Sequence, residues 1–240
     1  MPAKTTAAPE THSLVIEGNL VRFTKTIVER QVRTSDLLTE LGRMQPLDTG
    51  LLPRGCIAFS RCNDSRNQVH ALYAIERPAG LVCIRYKKAG SQEEQKDDNI
   101  ISLTLSWPHT IWLVHWTGPA ISDLYVCCAK APIQSLEDAI FVLPMPNIYD
   151  SGHAGVCLGN LTLPDASSPN IRSVFLIETV LTSLWNIDLQ PDYEPLGFKS
   201  LEEWAERSAA DGQFGLSLDY KPHHANTLGN LMATILGEPA

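Results

Sequence analysis

A carboxamide and a thiol stand ten residues apart in one short stretch, FVLPMPNIYDSGHAGVCLGN (residues 141–160): Asn147 and Cys157. A cysteine of ordinary acidity is a few per cent thiolate at neutral pH, enough for exchange with an activated acyl group. An asparagine amide is a donor that can meet negative charge developing on a carbonyl oxygen. The surrounding residues are those of a rigid exit from a sheet. Pro144 and Pro146 bracket Met145, and two fixed φ angles with two missing N–H donors end a paired central strand. Gly152 and Gly155 then supply backbone freedom in a polar loop. Both residues also have plainer readings. Cysteine is often a small buried hydrophobe, and asparagine often a turn residue that bonds its own backbone.

Other residues that carry chemistry have less in their spacing to recommend them. His153 precedes Cys157 in the loop and would favour a thiolate if charged and close, but an exposed loop histidine is the simpler account. Asp150 and Asp165 read as solvated carboxylates. His223 and His224 are adjacent, an arrangement that seldom turns both rings to one ion, and are expected to be exposed. A hydrolase pairing Cys157 with His70, His109 or His115 needs an imidazole within hydrogen-bond reach of the sulfur, and no local motif supports one. Trp107, Trp112 and Trp116 are expected to pack in a core or on a sheet. No metal or organic cofactor is called for.

Pro146-Asn147-Ile148, followed through a Gly-containing loop by Val156-Cys157-Leu158, resembles the active-site segment of ubiquitin-conjugating enzymes. In that family a His-Pro-Asn turn leaves a meander sheet, and the acceptor cysteine follows in an I/V-C-L context. The wider form, LPMPNIY then GVCLGN, is closer still to the bacterial ubiquitin-conjugating-like family D, which includes protein B of plasmid-associated PRTRC systems and lacks the turn histidine. Met145 stands at the histidine position, and the interval from Asn147 to Cys157 is two residues longer than is usual in the eukaryotic enzymes. The resemblance extends over roughly residues 55–190. It implies a transferase with Cys157 as acyl acceptor and Asn147 as oxyanion donor. It also implies as partners a ubiquitin-like protein, a ThiF-type activating enzyme and a JAB-type peptidase. A non-catalytic binding or scaffold module of the same fold is the alternative, and Met145 and the longer loop favour it.

Composition narrows the setting. The formal charge of −8 over 240 residues disfavours a general nucleic-acid binder, whose affinity comes from neutralising phosphates. No apolar run approaches the ~18 residues of a membrane helix, and MPAKTTAAPETHS lacks a signal-peptide core, so a cytoplasmic protein is expected. The six cysteines form no C-x-x-C pair; free thiols are expected, with Cys56, Cys83, Cys127 and Cys128 buried in apolar strands.

The elements that must position the motif follow from periodicity. Residues 13–28 read as two strands around Gly18-Asn19, and a short helix capped by Thr34 or Ser35 follows. Strands are expected at 56–62, 69–75, 81–86, 101–107, 111–116 and 124–129, joined mostly by turns as an antiparallel meander. The acidic stretch 91–99 reads as an exposed loop. Ser168 and Pro169 start a helix with Val174, Ile177, Val180, Leu181 and Leu184 on one face. Ser200 and Glu203 begin another as a capping box, and a last helix spans about 226–236. The class is α+β, an antiparallel meander with C-terminal helices packed on it. Its parts are a disordered tail (1–12), an N-terminal strand and helix extension (13–54), a core (55–190) and a C-terminal helical segment (191–240).

Overall fold

Period-two alternation does build strands along most of residues 56–129, and the computed structural model of the chain pairs them in two sheets around a shared core. It describes residues 11–17, 20–26, 52–63, 68–88, 100–149, 154–159, 161, 169–186, 189 and 191–237. Residues 1–49 and 50–240 form two units. In the first, β1 (Thr11–Glu17) and β2 (Leu20–Thr26) make the expected antiparallel hairpin, paired from Thr11↔Thr26 to Glu17↔Leu20. β1 takes up the last two residues of the stretch expected as a tail. The helix expected after Ser35 lies outside the described residues, as do the loop at 91–99 and Asp150, His153, Asp165 and Ser168.

The second unit grows from one long, bent hairpin. β4 (Val69–Arg77) pairs with β7 (His109–Thr117), and β5 (Gly80–Lys87) pairs with β6 (Ile100–Trp107). The register runs on without a slip from Arg77↔Thr110 to Gly80↔Trp107. Between them lie Pro78 on one arm and Pro108 on the other. Each removes a ladder donor, so the hydrogen-bonded ribbon breaks there and the distal half leaves as a second sheet. The antiparallel meander expected here is thus divided between two sheets. The larger sheet has the order β11-β9-β8-β7-β4-β3, with β3 at Cys56–Asn63, β8 at Ala120–Ala129, β9 at Ala139–Phe141 and β11 at Pro222–Thr227. The smaller has the order β10-β5-β6, where β10 (Leu184–Trp185) runs parallel to β5.

The larger sheet is covered on both faces, which is why β7 (HTIWLVHWT) is almost entirely buried and nearly continuous in apolar residues. Trp112, Val114 and Trp116 join Tyr73 and Ile75 on one face, packed in a cluster with Leu176, Ile177, Val180 and Leu181 of α1 (Pro169–Thr182). The three tryptophans are core residues, as expected. Leu184 lies past the end of α1, in β10. On the other face Ile111 and Leu113 meet Leu228, Leu231 and Met232 of α4 (Leu228–Leu236).

The described residues of the segment expected to follow the core at 191–240, residues 191–237, are packed into it. Phe198, Leu201, Trp204, Leu218 and Tyr220 belong to the same buried cluster as Trp112, and β11 pairs with β9. α2 (Leu201–Ala210) has Ser200 as its N-cap, accepting from Glu203 N. The returning bond of the capping box falls one residue early, with Lys199 N donating to Glu203 Oε2 at 2.9 Å. The final helix begins at Leu228, capped by Thr227, because the residues before it are drawn into β11. Strands followed by packed helices make the unit α+β. Among the described residues no helix is long and apolar enough to cross a membrane.

Candidate functional site

The chain leaves β9 through a buried turn. Leu143, Pro144, Met145 and Pro146 are all buried, and Met145 N donates to Leu143 O at 2.9 Å. Asn147 then takes φ = 61°, the left-handed region that asparagine enters more readily than most side chains. From there the backbone doubles back on itself. Ile148 bridges Val156 in antiparallel fashion, Tyr149 N donates to Gly155 O at 2.9 Å, and Cys157 N donates to Asn147 O at 2.7 Å. Asn147 and Cys157 therefore stand opposite one another across a narrow ribbon. Its second arm is anchored on β8, with Val156 N donating to Leu124 O at 2.8 Å and Val126 N donating to Ala154 O at 3.1 Å.

The side chains share one shallow cleft of about 270 Å³, whose lining includes Asn147, Cys157, Leu158, Ser183, Leu184 and Asn186. Among the described lining residues no side chain carries a formal charge. β10 places Asn186 there by pairing with β5, and Asn186 N donates to Asn147 Oδ1 at 3.4 Å. Only the carbonyl end of an amide accepts an N–H, so this bond fixes which way the carboxamide faces and leaves Nδ2 as its donor end.

Cys157 is exposed, whereas Cys127 and Cys128 are buried. Burial pushes both of those thiols up, and it pushes Cys56 up to about 11, so none of the three is a ready thiolate. Cys83, expected to be buried, is exposed on β5, where it belongs to the outward-facing set of an alternating strand. Tyr149, paired with Gly155 on the ribbon, lies diagonal to Cys157. Its phenol is held above the ordinary tyrosine value, first by a side-chain hydrogen bond with Cys157 and next by the charge of the thiolate.

The remaining candidates are elsewhere engaged. His70 Nδ1 lies 3.1 Å from His115 Nε2, His115 Nδ1 lies 3.6 Å from Asp123 Oδ2, and His109 Nδ1 lies 3.1 Å from Glu76 Oε1. None of the three imidazoles is hydrogen-bonded to Cys157 among the described residues. The expectation for the histidine pair near the C-terminus needs correction for one member. His223 is buried, with Nδ1 accepting from Ala225 N at 3.1 Å, because β11 turns it into the sheet; His224 is exposed.

Sequence reasoning passed over Tyr149 and Asn186. Tyr149 was within reach of it, two positions after Asn147 and hence on the same side of an extended arm. Nothing local marks Asn186, which arrives through the pairing of β10 with β5. Comparisons with family models, with curated proteins and with solved structures find no match for this chain.

Proposed function

We propose that this chain is a ubiquitin-conjugating-like acyl carrier of the kind that the family D resemblance implies. It accepts a ubiquitin-like protein as a thioester on Cys157 and passes it to an amine. The observation that carries this reading is the opposition of Asn147 and Cys157 across one ribbon, with the thiol open to solvent at the cleft. The α+β frame, in which strands lead into the ribbon and α1 follows it, suits a core of that type.

In the first step the Cys157 thiolate attacks the carbonyl carbon of the thioester held by a ThiF-type activating enzyme. The C–S bond to that enzyme breaks, and its thiolate departs. In the second, an amine attacks the new thioester and the sulfur of Cys157 departs. Both steps place negative charge on the carbonyl oxygen, and Asn147 Nδ2 is the donor available to receive it. Such a donor is worth on the order of 10²–10³ in rate where one has been removed in other enzymes. The bond from Asn186 N holds the amide before the charge develops, so little reorganisation is needed. A JAB-type peptidase would supply or reverse the conjugate, and a free exposed thiol suits a reducing cytoplasm.

The test supplies activating enzyme, ubiquitin-like protein and ATP and reads the intact mass. A carrier-sized adduct should form, be removed by dithiothreitol and be absent from Cys157→Ala. Native protein that gains no adduct while the activating enzyme is itself charged would sink the reading.

One observation favours a non-catalytic scaffold instead. Met145, at the position where the eukaryotic enzymes have histidine, is 1% exposed and packed in the main cluster. Its side chain fills hydrocarbon space and offers no N–H with which to brace the loop. A scaffold keeps its biological activity in Cys157→Ala; a carrier loses it.

A further inference from the structure

We propose that Tyr149 is a catalytic residue of this site, its phenol O–H stabilising the sulfur of Cys157 as that sulfur becomes a leaving group. The inference rests on the carrier reading and adds to it a residue that acts on the opposite side of the scissile bond from Asn147.

The placement comes from the ribbon. Ile148 bridges Val156, which sets Tyr149 against Gly155 and Asn147 against Cys157. Side chains of alternate residues share a face, and a long side chain reaches its diagonal neighbour on the facing strand. Tyr149 is thereby diagonal to Cys157 on the face that also carries Asn147. Gly155 opens the way: a Cβ there would already lie 3.8 Å from Tyr149 Cδ2 and 3.9 Å from Tyr125 Cδ1. A larger side chain would push the ring away from the sulfur. Tyr149 is 44% exposed. The ring lies over Gly155 beside Tyr125, and the diagonal of the ribbon carries its phenol toward Cys157. The raised phenol agrees, because a phenol that donates to sulfur resists losing its proton.

The chemistry follows from differential stabilisation. As the amine nitrogen bonds to the carbonyl carbon and the C–S bond breaks, the electron pair passes to Sγ. The proton lost by the amine goes to solvent, and the phenol keeps its own. A hydrogen bond to a thioester sulfur is weak, whereas one to a thiolate is charge-assisted and roughly twice as strong as a neutral bond. Tyr149 thus stabilises the departing sulfur more than the bound thioester, the condition for raising a rate.

The test bypasses the protein carrier. Cys157 is acylated by exchange with the S-benzyl thioester of N-acetylglycine, and release by ethylamine is followed in a single turnover. Tyr149→Phe should slow release by about tenfold, a hydrogen bond to a charged group, with the melting temperature unchanged. Gly155→Leu should slow it similarly with the phenol still present, and Tyr125→Phe should not. Absorbance at 295 nm gives a second readout: the Tyr149 phenol should titrate at lower pH in Cys157→Ala than in the native protein. Equal release rates for native protein and Tyr149→Phe would overturn the proposal, whether or not a ubiquitin-like adduct forms. Slowed release without any such adduct would instead remove the carrier reading and leave the contact standing.

Discussion

At Asn147 one residue meets two demands that substitution can separate. Its φ of 61° costs most side-chain-bearing residues roughly 1–2 kcal/mol, asparagine less and glycine nothing. Asn147→Gly should therefore unfold in urea within about 0.5 kcal/mol of the native protein, and Asn147→Ala should lose roughly 1 kcal/mol. If the carboxamide serves an oxyanion, both variants should form adduct and transfer it roughly 100-fold more slowly; if it only shapes the turn, Asn147→Gly should transfer normally. His115 makes a second prediction at this scale. Burial, the largest influence, holds its pKa below the ordinary value, against the raising effect of Asp123 and with the help of His70. Below about pH 6.5 the unfolded chain therefore takes a proton that folded His115 refuses, so stability is complete above that pH and falls as the pH drops toward the folded value. Melting temperatures between pH 7.5 and 5.5 should decline, and less steeply in His115→Gln.

Between elements, the smaller sheet is tied to the helices through Ser106. Ser208 Oγ accepts from Ser106 N at 2.8 Å, Trp204 Nε1 donates to Ser106 O at 3.2 Å, and Gly215 N donates to Ser106 Oγ at 3.0 Å. The approach is so close that a Cβ on Gly215 would lie 2.1 Å from the Ser106 carbonyl oxygen. Gly215→Ala must then push α3 (Phe214–Ser217) off β6, and a loss of roughly 2–4 kcal/mol is expected in denaturant titration. None of this was legible beforehand, since the joined residues lie about a hundred positions apart. The strands themselves were legible, because alternation and polar breaks are local signals. β9 and β10 were not, being too short to alternate, and β11 was hidden by its polar composition, PHHANT. The break in the long hairpin was written in Pro78 and Pro108. It needed only the recognition that the two lie on facing arms, one residue out of register with each other.

For the whole molecule, the consequence is that the second unit does not divide at residue 190. Trp204 is fully buried against Phe198 in the main cluster. A chain ending at 190 should lack a cooperative thermal transition, and Trp204→Ala should cost about 3–5 kcal/mol. Calorimetry showing a sharp, native-like transition for the truncated chain would contradict that. The division at 190 looked natural because Pro191, Pro195 and Gly197 read as a linker, and only the third dimension shows the chain returning. The facing of Asn147 and Cys157 was invisible for a related reason: their ten-residue interval says nothing of a ribbon anchored on β8. That ribbon also frees the interval from meaning. Because Ile148 and Tyr149 are already paired with Val156 and Gly155, amide and sulfur are held in place by the rails on either side of the bend. The number of residues between those two rails is then free to differ without moving either group. A search for kindred proteins should fix the two ends and let the count between them float.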